Sequence, residues 1–138
     1  MLIRHEGMRL RAYKCSAGKV TIGCGRNCDD IGITREEALY LLNNDIARVV
    51  GEAVGAFPWF NFLNPPRQDV ILSMLFNLGL EGFKNFKQTI EAITNGNFER
   101  AAQEMLDSTW HKQVGQRAVE LAKIMATGEY VELPKMDY

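Results

Sequence analysis

No stretch of this sequence approaches the roughly 18 consecutive apolar residues that a membrane-spanning helix requires, and its first residues lack the apolar block of a secretion signal. The first absence argues against stable membrane insertion. The second makes the cytosol the expected place of synthesis and residence until something else releases the chain. Net charge is also small, −1 from 16 Lys and Arg against 17 Asp and Glu, so there is no overall electrostatic case for a nucleic-acid partner. Cysteine is scarce: Cys15, Cys24 and Cys28 stand as C-x8-C-x3-C, without the paired C-x2-C knuckles of a structural zinc site. With His5 nearby, a Cys3His zinc-stabilised interaction domain is the alternative this crowding raises, yet the spacing speaks against it, and neither metal nor cofactor is expected. An odd number of cysteines in a chain without an export signal makes reduced thiols the default. Internal repeats and low-complexity segments are absent as well.

What is present suits one globular domain. The chain has 138 residues, 46% hydrophobic and 24% charged, long enough to bury roughly two-thirds of its unfolded surface without a metal or disulfide. A monomer is expected. Charge is unevenly spread: Arg4, Arg9, Arg11, Lys14, Lys19 and Arg26 oppose Glu6, Asp29 and Asp30, giving +3 over residues 1 to 30 and −4 over the remainder. Such a lobe suits an anionic polymer, although scattered surface cations more often have no partner.

The pattern then divides the chain. Residues 1 to 6 read as a short helix stopped by Gly7 in a left-handed cap. From Ala12 to Gly25, Tyr13, Val20, Thr21 and Ile22 surround Ser16-Ala17-Gly18-Lys19, the composition of a β-hairpin. Thr34-Arg35-Glu36-Glu37 is a capping box opening a helix with Ala38, Leu39, Leu42, Ile46, Val49 and Val50 on one face. Pro58, Pro65 and Pro66 break the next segment into an irregular connection. Residues 67 to 78 are apolar around most of their circumference and predict a central buried helix ending before Gly79. Further helices are predicted near 84 to 95, 98 to 107 with Asn97 as its cap, and 115 to 126 ending before Gly128. The expected architecture is α+β, with an N-terminal α+β lobe over 1–50, a larger helical lobe over 51–128 and a tail over 129–138. Trp110, Phe76 and Phe86 read as core residues.

One short segment carries chemistry. In "HEGMRLRAYKCSAGKVTIGCGR", eight residues separate Glu6 from Cys15 and five separate Cys15 from Thr21. A helix running into a hairpin brings a carboxylate, a turn thiol and a strand hydroxyl to one edge. Taken alone, Glu6 would be a solvated carboxylate, Thr21 a strand residue, Cys15 a turn thiol and Arg117 a surface cation. Together with "EGMRLRAY", "TIGCG", "FNLG" at 76–79, "GFKNF" at 82–86 and "WHKQVGQRA" at 110–118, the spacing resembles the phage-type (T4-like) lysozyme and endolysin family, whose signature is Glu, then Asp or less often Cys, then Thr at these intervals. The resemblance runs from Glu6 to about Gly128.

The resemblance implies a lysozyme-like fold with a cleft between a small β-hairpin lobe and a helical lobe. It implies peptidoglycan as partner, and hydrolysis of the β-1,4 bond between N-acetylmuramic acid and N-acetylglucosamine. It also implies residence in a host cytoplasm until a holin-type membrane lesion opens the way to the periplasm and wall. Glycoside hydrolysis needs an acid to protonate the leaving oxygen and a second group to manage the anomeric carbon or activate water. By resemblance Glu6 is the acid, Thr21 positions water, and Cys15 stands where many relatives carry aspartate. Arg117 matches an arginine that contacts the catalytic glutamate, which would orient Glu6 and lower its pKa while burial raised it. Gln113 and Asn77 are expected to line the cleft. Arg26 stands where many relatives have histidine, and little functional consequence is expected. Whether Cys15 acts as base, nucleophile or bystander stays open, as does a disulfide to Cys24 or Cys28. A non-catalytic peptidoglycan-binding module and a lytic transglycosylase remain the alternatives.

Overall fold

The computed structural model describes residues 1–132, so of the tail expected over 129–138, residues 133–138 lie outside the described residues. The chain is α+β, 64% helical, with a small three-stranded antiparallel sheet near the N-terminus. It divides into two compact units, Met1–Asn43 and Asn44–Tyr138.

In the first unit, helix α1 (Leu2–Glu6) ends at Gly7, whose φ of 74° matches the expected glycine stop. Its ψ of 176° does not match the left-handed cap: this is an extended conformation that glycine alone adopts without strain, and it feeds the chain into a strand. Strands β1 (Arg9–Lys14) and β2 (Val20–Gly23) form the expected hairpin, with β1 beginning three residues earlier than its composition suggested. The Cys15 N–H donates to the Lys19 carbonyl at 2.9 Å, and the Gly18 N–H donates to the Cys15 carbonyl at 2.8 Å. A third strand, β3 (Arg26–Asn27), was not expected, because its two residues carry no hydrophobic alternation. Thr21 is the single buried side chain of this unit among the described residues.

Helix α2 (Arg35–Ala56) opens with the expected capping box: the Glu37 N–H donates to Thr34 Oγ1 at 3.1 Å and the Thr34 N–H to Glu37 Oε1 at 3.0 Å. The expected apolar face is only partly buried. Val49 and Ala53 belong to the core of the second unit, whereas Leu39, Leu42 and Ile46 are exposed. The division between units falls within this helix.

The second unit holds the hydrophobic core. A short 3-10 turn (Phe60–Phe62) leads to α3 (Pro65–Lys84), where Asn64 caps by accepting from the Arg67 N–H and the two prolines occupy the first turn. Gly79, at φ 74° and ψ 167°, interrupts α3 where the helix was expected to stop, but one more turn follows it. Val70, Ile71, Met74 and Leu75 make α3 the buried centre, as expected. Helices α4 (Lys87–Thr94), α5 (Phe98–Leu106), α6 (Thr109–Val114) and α7 (Gln116–Thr127) complete the unit, with α5 packed on α7 and α4. Ala101 and Ala102 on α5 and Ala118 and Ala122 on α7 are buried, and small side chains of this kind let two helices approach closely. Arg67 closes the far end: it donates to the Met125 carbonyl at 2.8 Å and the Ala126 carbonyl at 3.1 Å, and lies 3.7 Å over the Phe98 ring. Trp110 is buried and Phe86 half-buried as core residues, but Phe76 is exposed, a departure from its expected place. Among the described residues, no helix is long and apolar enough to cross a membrane.

Candidate active site

The residues singled out by spacing fall in both units. Glu6 ends α1 and is exposed. Its carboxylate lies against the β2–β3 turn, because a Cβ built on Gly25 would come within 3.0 Å of Glu6 Oε2. Gly25 has φ +82°, which the tight Gly23-Cys24-Gly25 connection demands, so glycine is needed there both for the turn and to leave room for the Glu6 carboxylate.

Cys15 begins the β1–β2 turn and is half-buried. Its thiol pKa is lowered, chiefly by the Lys19 backbone N–H, then by that of Ala17, with burial opposing and the Thr21 hydroxyl assisting. The hairpin thus presents a small set of donors to the sulfur and favours its thiolate. Thr21 sits opposite Tyr13 on β1 and Asn27 on β3, and its Oγ1 donates to the Lys19 carbonyl at 2.9 Å. Its single proton is shared between that carbonyl and the Cys15 sulfur, and the lone pairs of the hydroxyl remain to accept from a water. The structure brings Cys15 and Thr21 together and sets Glu6 against the turn that ends β2.

Asn77, Gln113 and Arg117 lie in the second unit. Asn77 Oδ1 accepts from Trp110 Nε1 at 2.9 Å, satisfying a buried indole. Trp110 and Gln113 line a depression of about 520 Å³ that also takes in Phe86, Glu104, Asp107 and Thr109. Arg117 is exposed on the first turn of α7. Sequence reasoning missed the hydrogen bond that Asn77 makes and the approach of Gly25 to Glu6. The second "G" of "TIGCG" was the available signal for the latter.

Arg26, expected to matter little, anchors this part of the chain. Its Nη1 donates to the Gly32 carbonyl at 3.0 Å and to Glu37 Oε1 at 2.8 Å, tying β3 to the loop and to the α2 cap. The Arg26 contact, then the Thr34 N–H, hold the Glu37 carboxyl at about 2. A depressed folded-state pKa stabilises fully above the unfolded value of about 4.3 and loses that contribution as pH falls through the folded value. Melting temperature should therefore drop for this reason as pH falls from about 4.3 toward 2. Glu37→Gln should be less stable at neutral pH and show a flatter acid limb, and parallel wild-type and variant curves would remove the pair from the account.

Among the described residues, no group of three or more His, Cys, Asp or Glu side chains converges in a way that could hold a metal ion. The three thiols are free, with Cys28 Sγ 3.7 Å from the Arg26 carbonyl.

A short helix ending in glutamate, a hairpin seating Cys15 beside Thr21, and a helical unit carrying the Trp110–Asn77 pair together define a lysozyme-like protein. The family model for phage lysozyme matches residues 3–124, and the chain belongs to that family. It is 32% identical to the endolysin of Acyrthosiphon pisum secondary endosymbiont phage 1, over 85% of this chain and 80% of that protein. It is 30% identical to the pre-baseplate central spike protein Gp5 of Enterobacteria phage T4, over 93% of this chain, and spans only 27% of that protein's length. Probable T4-type lysozyme 1 of Dictyostelium discoideum is 27% identical over 93% of this chain and 92% of its own.

One consequence separates geometry from stability. Gly25→Ala adds a methyl against a flexible carboxylate, so it displaces Glu6 at little packing cost, and a misplacement of about 1 Å can cost on the order of 10²-fold in rate. Gly23→Ala imposes similar backbone strain at φ +69° with nothing within 4 Å of the added carbon. Both variants should melt earlier, but Gly25→Ala alone should lose most of its turnover. Equal losses of activity would detach Gly25 from Glu6.

Proposed function

We propose that this chain is an endolysin-type muramidase, a single lysozyme-like catalytic domain hydrolysing the β-1,4 bond between N-acetylmuramic acid and N-acetylglucosamine. Membership of the phage lysozyme family and similarity to an endolysin support action on peptidoglycan. The observation that carries the catalytic reading is the hairpin turn whose N–H groups favour a thiolate at Cys15, next to the Thr21 hydroxyl.

In this mechanism the Glu6 carboxyl gives its proton to the glycosidic oxygen as the bond to the anomeric carbon breaks. A water held by Thr21 Oγ1 attacks that carbon and passes its proton to the Cys15 thiolate. Both proton transfers then reverse through solvent to reset the site. Asn77 and Gln113 bind the glycan or its peptide, and Arg117 supports binding. As a monomer made in a host cytoplasm and released by a holin-type lesion, such an enzyme causes cytolysis by degrading the wall.

Product analysis on defined peptidoglycan tests this. New reducing ends equal in number to the bonds lost are expected. Termini with a 1,6-anhydro bridge would instead make the protein a lytic transglycosylase, and bound but intact glycan would make it a binding module.

A further inference from the structure

The first unit carries two adjoining depressions that the catalytic reading leaves unused. One, of about 440 Å³, is walled by the consecutive residues from Met8 to Tyr13. The other, of about 600 Å³, shares Arg9 and Leu10 and continues over Ile22, Ile33, Tyr40 and Leu41. The cause is a bulge in β1: Arg9 pairs with Gly23 and Tyr13 with Thr21, so four steps along β1 face two along β2. The surplus residues bend the strand locally, and β1 is an edge strand of the sheet. Leu10 on this strand is 84% exposed, Met8 just before it 60%, and Tyr40 on α2 70%. Arg9 and Arg11 flank Leu10, and Lys14 ends the strand, against Glu36 in the second depression. Arg26 and Glu37, also in its wall, neutralise each other.

Three kinds of occupant suit such a face unequally. A second copy pairing edge to edge across a two-fold axis would oppose Arg9, Arg11 and Lys14 to cations of their own kind, an arrangement that edge strands use to prevent pairing. A hydrated anionic polymer would satisfy the arginines and leave Leu10 and Met8 in water. A bilayer rich in anionic phospholipid satisfies both: headgroup phosphates take the cations, the acyl boundary takes Leu10 and Met8, and Tyr40 suits the interfacial level where aromatic side chains with a polar tip reside. We propose that this face of the N-terminal unit is a peripheral docking surface for anionic phospholipid bilayers. It does not depend on glycan cleavage.

The test is co-sedimentation of the full chain with phosphatidylcholine vesicles, with and without phosphatidylglycerol, at low and high ionic strength. Partitioning onto the phosphatidylglycerol vesicles alone is expected, and added salt should weaken it. Arg9→Ser with Arg11→Ser should lower partitioning by about 30-fold, and Leu10→Asp by about tenfold or more. All three side chains are exposed, so the double arginine variant keeps the test open if Leu10→Asp folds poorly. Three results would overturn the proposal. These are absence of wild-type partitioning at low salt, partitioning unchanged in both variants, and capture by a soluble anionic wall polymer without capture by vesicles. A mass that rises with concentration and returns to monomer in Leu10→Asp would assign the face to a second copy instead.

Discussion

Glu6→Gln is expected to reduce peptidoglycan cleavage by about 10³-fold or more, within the range that a positioned general acid contributes. That corresponds to about 4 kcal/mol of transition-state stabilisation. The amide preserves the shape that rests against Gly25 but has no proton to give the leaving oxygen. Because Glu6 is exposed and ends a helix of five residues, its replacement removes no core packing, and the melting temperature should hardly move. Arg117→Ala, at an exposed position on α7, should cost less, since a supporting cation affects binding before chemistry. Rates measured under saturating and limiting substrate separate the two effects: Glu6→Gln should act on kcat and Arg117→Ala mainly on KM. Retained turnover in Glu6→Gln would place the acid elsewhere.

Legibility of the fold tracks how local each determinant is. The Thr34–Glu37 box, the Asn97 cap and the glycine stop at 128 act over three or four residues, so their chemistry is written in adjacent letters. Strand β3 is different, since two polar residues become a strand only because β2 lies beside them. Helix α6 was passed over although Ser108 announces it, accepting from the His111 N–H at 3.2 Å, because six residues hold too little periodicity to register. The apolar face of α2 misled for another reason. Periodicity states which side chains share a face, not whether anything covers it, and Leu39, Leu42 and Ile46 are exposed.

The candidate site divides along the same line. Spacing gave Glu6, Cys15 and Thr21, and the family resemblance gave them roles. The set of donors around Cys15 could not be read, because it depends on where the turn aims the N–H groups of Ala17 and Lys19, with Gly18 at φ 77°. Nor could the contact between Gly25 and Glu6, which joins two elements nineteen positions apart in sequence.

Cys15 is where those unread donors become measurable. A thiol ordinarily ionises near pH 8.5, too high for a base at neutral pH, and here the Lys19 and Ala17 N–H groups and the Thr21 hydroxyl lower that value. Activity should then rise with the thiolate fraction toward alkaline pH. Cys15→Ala removes the proton acceptor while leaving Thr21 to hold the water, and should cost about 10²- to 10³-fold in kcat. Cys15→Asp puts a carboxylate before the same donors. Its ordinary pKa of about 3.9 keeps it ionised across the range, so this variant should stay active with its optimum moved to lower pH. Iodoacetamide supplies an independent check, because inactivation of wild type that spares Cys15→Asp assigns the loss to this sulfur rather than to Cys24 or Cys28. If Cys15→Ala instead keeps the wild-type rate at every pH, the donors stabilise a thiolate that the reaction does not use. Glu6 and a water on Thr21 would then carry the cleavage without a second titrating group.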